Sequence, residues 1–581
     1  MASIIKKSGQ KIARRWTRAS VKADEKSREH IRENLLQRVS HVRNVRLLVL
    51  EWSLLVIVLI MLAVTQAFWF SDSYAEDSFV TGGTYTEATL GEVKSLNPLL
   101  ATTSSEEVLS KLMFARIMTV DYSGHLGNQL AQSVRASEDG KTWTVTLRDG
   151  LKWSDGEPIT AEDVLFTVNL IQDKNVNTIY ESNFEKVKVS INEDGAIVFN
   201  LSAPYADFIS ALEVPVVPKH VLEGASTTNL VENDFSNTPV TSGAFSYNAA
   251  QTGKGGKSDV YYLTANPDYY LGKPLLDSFA IHTYDTKQDL IDAVNAGEVT
   301  ATVELSGADA EYVWSTNYLK RNSTLDLGAF IFFNTTRGAV ASREMRSAIR
   351  SGIDLTKIRS AAPDTVKLDY PLLSSQIELS KYPEIPGYDF ASSQAKVAEM
   401  LAGSDENAKY LDIATVDSGY LPAVANSLKE ELMLLGFEPT VTVYDEDQDF
   451  VSNVIAKRSY DILVYSVELG TEPDLLPYYY SSQASSSGLN LSNYRNALVD
   501  DLLLAARETM DANLRRAKYE TFLTYFVNDV PAIGLYQPNL TYYYNKNVRT
   551  YNESLKLATA IDRFTDVTDW AVNKAVKDKT P

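Results

Sequence analysis

The densest run of chemically able side chains is Glu468-Leu469-Gly470-Thr471-Glu472-Pro473-Asp474, closed by Tyr478-Tyr479-Tyr480. These carboxylates and phenols follow an apolar strand pattern, Tyr460 to Val467, and ligands of open α/β sheets sit beyond the carboxyl ends of strands. A carboxylate there pairs with a cationic group, and a tyrosine offers rigid, amphipathic contact area. Solvated or structural carboxylates and core aromatics have the same composition, so the spacing marks binding candidates and no catalytic set. Elsewhere the chemistry thins out. His30, His41, His125, His220 and His282 lack metal-ligand spacing, and neither a His-Glu-x-x-His nor a Gly-x-Ser-x-Gly run is present. No carboxylate pair stands out for acid–base work. The absence of cysteine excludes disulfides, thiolate metal sites, cysteine nucleophiles and a lipoprotein anchor. Gly255-Gly256-Lys257-Ser258 imitates the end of a phosphate-binding loop, but Gln251 occupies the place of the first glycine and a strand-like SDVYYLTA follows, so a glycine-rich hairpin loop is expected. The chain reads as a binding protein, with no enzyme activity, metal or cofactor.

The elements that must position such a loop alternate. Leu411 to Thr415 reads as a strand, Pro422 to Leu435 as an amphipathic helix stopped by Gly436, Val441 to Val443 as a strand, Phe450 to Lys457 as helix, and Tyr460 to Val467 as a buried strand. That order predicts a mostly parallel α/β lobe. With 581 residues the chain exceeds one core, and two or more domains are expected. Its formal charge of -20 is uneven: residues 1–46 carry 13 Lys or Arg against 4 Asp or Glu, which leaves -29 on the rest. A basic head on an acidic body argues against nucleic-acid binding by the body.

Leu47 to Phe70 is the one membrane candidate, with Trp52 and Phe68-Trp69-Phe70 at its ends and the Lys/Arg excess before it. The pattern predicts an uncleaved transmembrane helix, a cytoplasmic N-terminus and an exported, membrane-held body. Ser73-Tyr74-Ala75 has the form of a signal cleavage site, but the leader would far exceed the usual 15–30 residues.

The most ordered block is Leu130 to Leu170, LAQSVRASEDGKTWTVTLRDGLKWSDGEPITAEDVLFTVNL. Asp139-Gly140, Asp149-Gly150 and Asp155-Gly156 are turn dipeptides, Trp143 to Leu147 alternates as a half-buried strand does, and Thr160 with Asp163 has capping-box spacing before Val164-Leu165-Phe166. This block resembles the signature of the family 5 extracellular solute-binding proteins, the oligopeptide-, dipeptide- and nickel-binding receptors of ABC importers. The likeness continues through the Leu96-Asn97-Pro98 opening, Pro218-Lys219-His220, TPVTSGAF at 238–245, Asn266 to Tyr270, FIFFNT at 330–335, NLSNYR at 490–495 and Asp529 to Tyr536, and covers about Gly82 to Tyr551. Ser242 and Ala244 depart from the usual Thr and Pro.

The resemblance implies an α/β, two-lobed periplasmic-binding-protein-like fold of the large peptide-binding type, here with the N-terminal transmembrane helix. The segments are then a basic cytoplasmic stretch 1–46, the helix 47–70, a linker 71–81, lobe I 82–333 with an inserted subdomain about 119–234, lobe II 334–529, and a return 530–581. It also implies a monomeric receptor that holds oligopeptides between its lobes and passes them to ABC permease subunits. An oligosaccharide, a metal chelate, an opine-like solute, or a sensor or scaffold role without a transporter are the alternatives. In the peptide-binding branch an Asp of the 468–474 loop pairs with the peptide's α-amino group. Alignment on Glu472-Pro473 puts Leu469 at that place, which makes Glu468 the expected substitute, with Glu472 and Asp474 next. Further candidates for the cleft are Gly470, Asn334 at the hinge, Asp417 to Tyr420, Tyr478, Tyr479 and, from the opening loop, Ser95 to Asn97.

Overall fold

The computed structural model describes residues 46–253, 258–445 and 450–578. They fall into two compact units, one reaching Ser78 and resuming at Ala575, the other Phe79–Lys574.

The first unit contains a helix, Arg46–Tyr74, whose side chains from Leu50 to Gln66 are exposed. The expected membrane span is not supported: among the described residues no helix is long and apolar enough to cross a membrane. A bilayer core requires about 20 apolar residues. The uninterrupted apolar run here, Leu54 to Val64, ends at Thr65-Gln66 and is preceded by Glu51 and Ser53. The membrane-held arrangement deduced from that span falls with it. The expected linker 71–81 is the end of this helix followed by a strand, Ala75–Val80. Residues 1–45 lie outside the described residues, as do Gly255 to Lys257 of the glycine-rich loop.

The second unit is two-lobed. Lobe I is built on a seven-stranded sheet in the spatial order Tyr318–Thr324, Asn539–Asn545, Ala301–Thr302, Thr84–Leu90, Ser278–Tyr284, Asp259–Ala265, Phe245–Gln251. A four-stranded antiparallel sheet, Ala131–Ala136, Thr142–Leu147, Ile197–Leu201 and Val187–Ile191, lies within the 119–234 region and shares the lobe's apolar core through Trp143, Phe199 and Phe208. The turn signals of the signature block hold it in place. Asp163 accepts the Thr160 amide at 2.8 Å and the Lys219 amide at 2.9 Å, so the helix start at Ala161 is tied to the Pro218-Lys219-His220 segment. Gly243 lies so close to the Leu112–Phe114 backbone that an added Cβ would overlap it, and the amides of Ser242 and Gly243 both donate to the Met113 carbonyl, at 2.9 and 2.7 Å.

Lobe II has its own core around a six-stranded sheet ordered Val366–Lys367, Ala532–Gln537, Leu327–Phe333, Ile462–Glu468, Tyr410–Val416, Glu438–Tyr444. The sheet is mixed where a mostly parallel one was expected. Only Tyr410–Val416 makes parallel pairs, with its two neighbours, while Leu327–Phe333 runs antiparallel to the strands on both its sides. That same pairing moves the lobe boundary. The chain leaves lobe I after Thr324 and enters lobe II at Leu327, ahead of the apolar strand, and it returns at Pro538 between Gln537 and Asn539. An apolar strand pattern records burial but not the sheet that buries it, so residue 333 was too late and 530 too early for the crossings.

Candidate functional site

The two crossings form the floor of an interlobe cavity of about 760 Å³. Lobe I lines it with Thr102 to Ser104, Lys287, Glu304, Gly307 and Asp309; lobe II lines it with Asp417 to Leu421 and Ser466. The local folding is explicit in the sequence. Thr103 caps the helix Ser104–Met113, and Glu106, at the third position, accepts the Thr103 and Thr102 amides with one oxygen and the Lys94 and Ser95 amides with the other. The cap therefore fixes the opening loop to the helix. On the facing lobe, Pro422 sits in the first turn of Leu421–Leu434, where a missing amide costs nothing.

An acidic group adjoins the cavity. Glu107 lies one helical turn beyond Thr103, and Glu468 lies two strand positions beyond Ser466, on the same face. Around them are Lys111, Arg116, Tyr180, Glu213 and Asp562 of lobe I. Lys111 Nζ is 3.1 Å from Asp562 Oδ1 and 3.5 Å from Glu213 Oε1, and Arg116 Nη1 is 3.3 Å from Glu213 Oε1. These pairs consume the two cations. Among the described residues the carboxylates of Glu107 and Glu468 have no hydrogen-bond or ion-pair partner. Water reaches Glu468, yet protein atoms of both lobes crowd it. That crowding, then the charges of Glu213, Glu107 and Asp562, push its carboxyl up to about 7. Burial also raises Glu107, against the pull of Arg116. A solute cation between them would replace lost hydration with two charge-assisted contacts.

The loop carrying Glu468 is held from behind. The Leu469 amide donates to the Asp326 carbonyl at 3.0 Å, and the Gln376 side-chain amide donates to the carbonyls of Leu469 at 2.6 Å and Gly470 at 2.9 Å. Gly470, at φ +72°, makes the turn. Tyr478 donates its hydroxyl to the Glu468 carbonyl.

The expected residues separate into three sets. Asp417 and Tyr420 line the cavity, and Glu468 joins the acidic group beside it. Leu469, Gly470 and Tyr478 support the loop; Glu472 is half-buried and feels Arg515. Asn334, Tyr479 and Asn97 are buried with structural partners. Asn334 donates to the Arg458 and Tyr460 carbonyls, Tyr479 packs on Phe522 and Phe526, and Asn97 accepts the Leu99 amide at the turn. Asp474 pairs with Arg507 and accepts the Tyr205 hydroxyl at 3.1 Å, at a second lobe contact away from the cavity. The sequence does not single out Glu107, Glu213 or Asp562, the carboxylates that the fold sets near Glu468. Glu107 carried one local signal, its spacing of four from Lys111; the other two come from segments distant in sequence.

Three comparisons bear on this geometry. A model of the bacterial extracellular solute-binding proteins, family 5 Middle, matches residues 125–489. The chain is 24% identical over 478 residues to the oligopeptide-binding protein AppA of Bacillus subtilis (strain 168), covering 79% of this chain and 87% of that one. Among solved structures, it resembles the ABC transporter substrate-binding protein CtaP from Listeria monocytogenes with a TM-score of 0.73 at 24% identity, covering 85% of this chain and all of that one. The B. subtilis AppA structure, in complex with a nonapeptide, matches with a TM-score of 0.70 at 22% identity over the same shares. At these identities the structures establish the two-lobed fold.

Proposed function

The chain belongs to family 5 of the bacterial extracellular solute-binding proteins, and on that premise we propose that it captures peptides by their free α-ammonium group and hands them to the permease of an ABC transporter. The observation that carries this reading is the pair of partnerless carboxylates, Glu107 on lobe I and Glu468 on lobe II, beside the 760 Å³ cavity. The ammonium sits between the two. The peptide backbone then runs into the cavity, whose Thr, Ser, Asn and main-chain groups read an extended chain without reading its side chains. Glu468 takes the amine-pairing place, one residue from the position given by alignment, because Leu469 points its main-chain amide back to Asp326 and buries its side chain. Binding contacts divided between the lobes favour the shut form, since a ligand shifts a conformational equilibrium only by its preference for one state.

The test is native mass spectrometry of the purified chain before and after unfolding and refolding, with a thermal-shift screen of defined peptides and their N-acetylated counterparts. Peptides at 100 times their dissociation constant should add about 2.7 kcal/mol of stability, and acetylation should abolish the shift. Equal shifts with both forms would rule out amine recognition. A cleft that ignores peptides would rule out the ligand class.

A further inference from the structure

Tyr420 and Gly307 meet across the cleft. Tyr420 closes the turn that starts the lobe II helix Leu421–Leu434, and Gly307 opens a short helix, Gly307–Tyr312, of lobe I. A Cβ added to Gly307 would overlap the Tyr420 hydroxyl and stand 3.1 Å from ring carbon Cζ. Gly307 is absent from the glycines with positive φ, so its backbone does not demand glycine; the space does. Among the described residues the Tyr420 hydroxyl makes no hydrogen bond, so Gly307 is what it rests against. Both residues line the cavity. Among the described residues the lobes also meet at the chain crossing, where Asn539 donates to the Asp364 carbonyl, and at the subdomain contact, where Tyr205 donates to Asp474 and packs under Arg507 at 4.6 Å.

We propose that Tyr420 is the closure residue of the cleft, a positioning residue whose ring end seats on Gly307 when the lobes shut, and that residue 307 is glycine to leave room for that seat. The proposal rests on the cleft being a solute site, but it concerns lobe geometry and is read without any solute. A ring on the rim of lobe II engages lobe I only at one interlobe distance. An extra methyl at 307 holds the ring off and favours the open form, while each lobe keeps its own core.

Because the chain has no cysteine, two labels can be placed cleanly, at Asp292→Cys on an exposed helix of lobe I and Lys396→Cys on an exposed helix of lobe II. Spin-label distance distributions of the solute-free protein then report closure. Gly307→Ala should lower the ratio of short to long distances about fivefold or more, the lower end of the cost of forcing a methyl into filled space, and Tyr420→Ala should lower it too. The double variant should match Tyr420→Ala, since a methyl without a ring to meet has nothing to displace. Unchanged thermal melting of the single variants establishes that the lobes are intact. A Gly307→Ala distribution like wild type, additive opening in the double variant, shorter distances in Tyr420→Ala, or a wild type with no short-distance population would each overturn the proposal. The peptide and N-acetyl peptide shifts are measured separately, so a wrong ligand class and a wrong closure residue give different failures.

Discussion

In the block Leu130–Leu170 of lobe I, the apolar side chains of the sequence pattern turn inward, while turn residues such as Asp149, Lys152 and Asp155 stay exposed. Trp153 is fully buried, Asp163 holds two amides of a helix start and of a remote segment, and Ser154 exchanges hydrogen bonds with Thr241 at 2.8 and 2.9 Å. In the loop Glu468–Tyr480 of lobe II the arrangement is divided. Leu469, Gly470 and Tyr479 serve the scaffold, while Glu468 stays partnerless at the cleft. The long, ordered pattern that identifies the family is thus a pattern of construction. On the proposed reading the solute chemistry resides in side chains that packing leaves alone, Glu468 in place of Leu469 among them.

The contrast breaks most visibly at Trp153. Its ring is buried in the lobe I core, so Trp153→Ala should cost about 4 kcal/mol, measured by urea unfolding. Whatever fraction stays folded should keep its preference for free over N-acetylated peptides. A change in that preference would give the block a part in recognition. Gly243→Ala comes next. Its methyl meets main chain at Leu112–Phe114, which cannot swing aside, and a loss of about 3 kcal/mol is expected. A neutral result would mean that the helix Ser104–Met113 can shift on its sheet.

Legibility followed the same divide. Caps and stops were readable because their chemistry is local: Thr160 with Asp163, and Gly436, at φ +102°, after the helix Leu421–Leu434. The strand Thr142–Leu147 was equally plain from the alternation of Trp143 to Leu147. The crossings were not, because pairing partners are non-local and Leu327–Phe333 has the same apolar pattern in either sheet. Within the candidate site, Glu468 is singled out by its place after a strand, and the fold sets it beside the acidic group. Asn334 was misjudged as cleft-facing because an asparagine at a strand end serves as well to satisfy buried carbonyls, as it does with Arg458 and Tyr460. Tyr479 was misjudged because three consecutive tyrosines cannot all face one way. Glu213 and Asp562 carried no spacing signal toward Glu468, since only the fold brings them together.

Glu468→Gln sharpens the comparison from the other side. The substitution keeps shape, removes a charge that repels Glu107 and Glu213, and breaks no hydrogen bond of the carboxylate, so the melting temperature should hold or rise slightly. Affinity for free-amine peptides should fall about thirtyfold, in line with loss of a charged partner in a desolvated contact. Titration calorimetry against one peptide and its N-acetyl form separates the outcomes. A stability loss with unchanged affinity would move Glu468 into the scaffold class with Leu469.

The smallest effect is in the pH dependence, and its sign differs for binding and for stability. Burial and like charges raise the free Glu468 carboxyl to about 7, from its ordinary 4.5. An ammonium ion favours the ionised form, so affinity should rise about fivefold between pH 6 and pH 7 as Glu468 ionises, and fall again above about pH 8 as the peptide's own α-ammonium group, with a pKa of about 7.7–8.0, loses its proton. Binding below 7 should release a proton, visible as buffer-dependent heat in calorimetry. Folding works the other way. Between about 4.5 and 7 the native state keeps a proton that the unfolded chain has lost, so the contribution of Glu468 to stability declines as pH rises through that window and is constant above it. Glu468→Gln should flatten both profiles. If the variant keeps the wild-type pH dependence of binding, the titrating carboxylate is elsewhere in the group, and Glu107, raised by burial on the facing lobe, is the one to replace next.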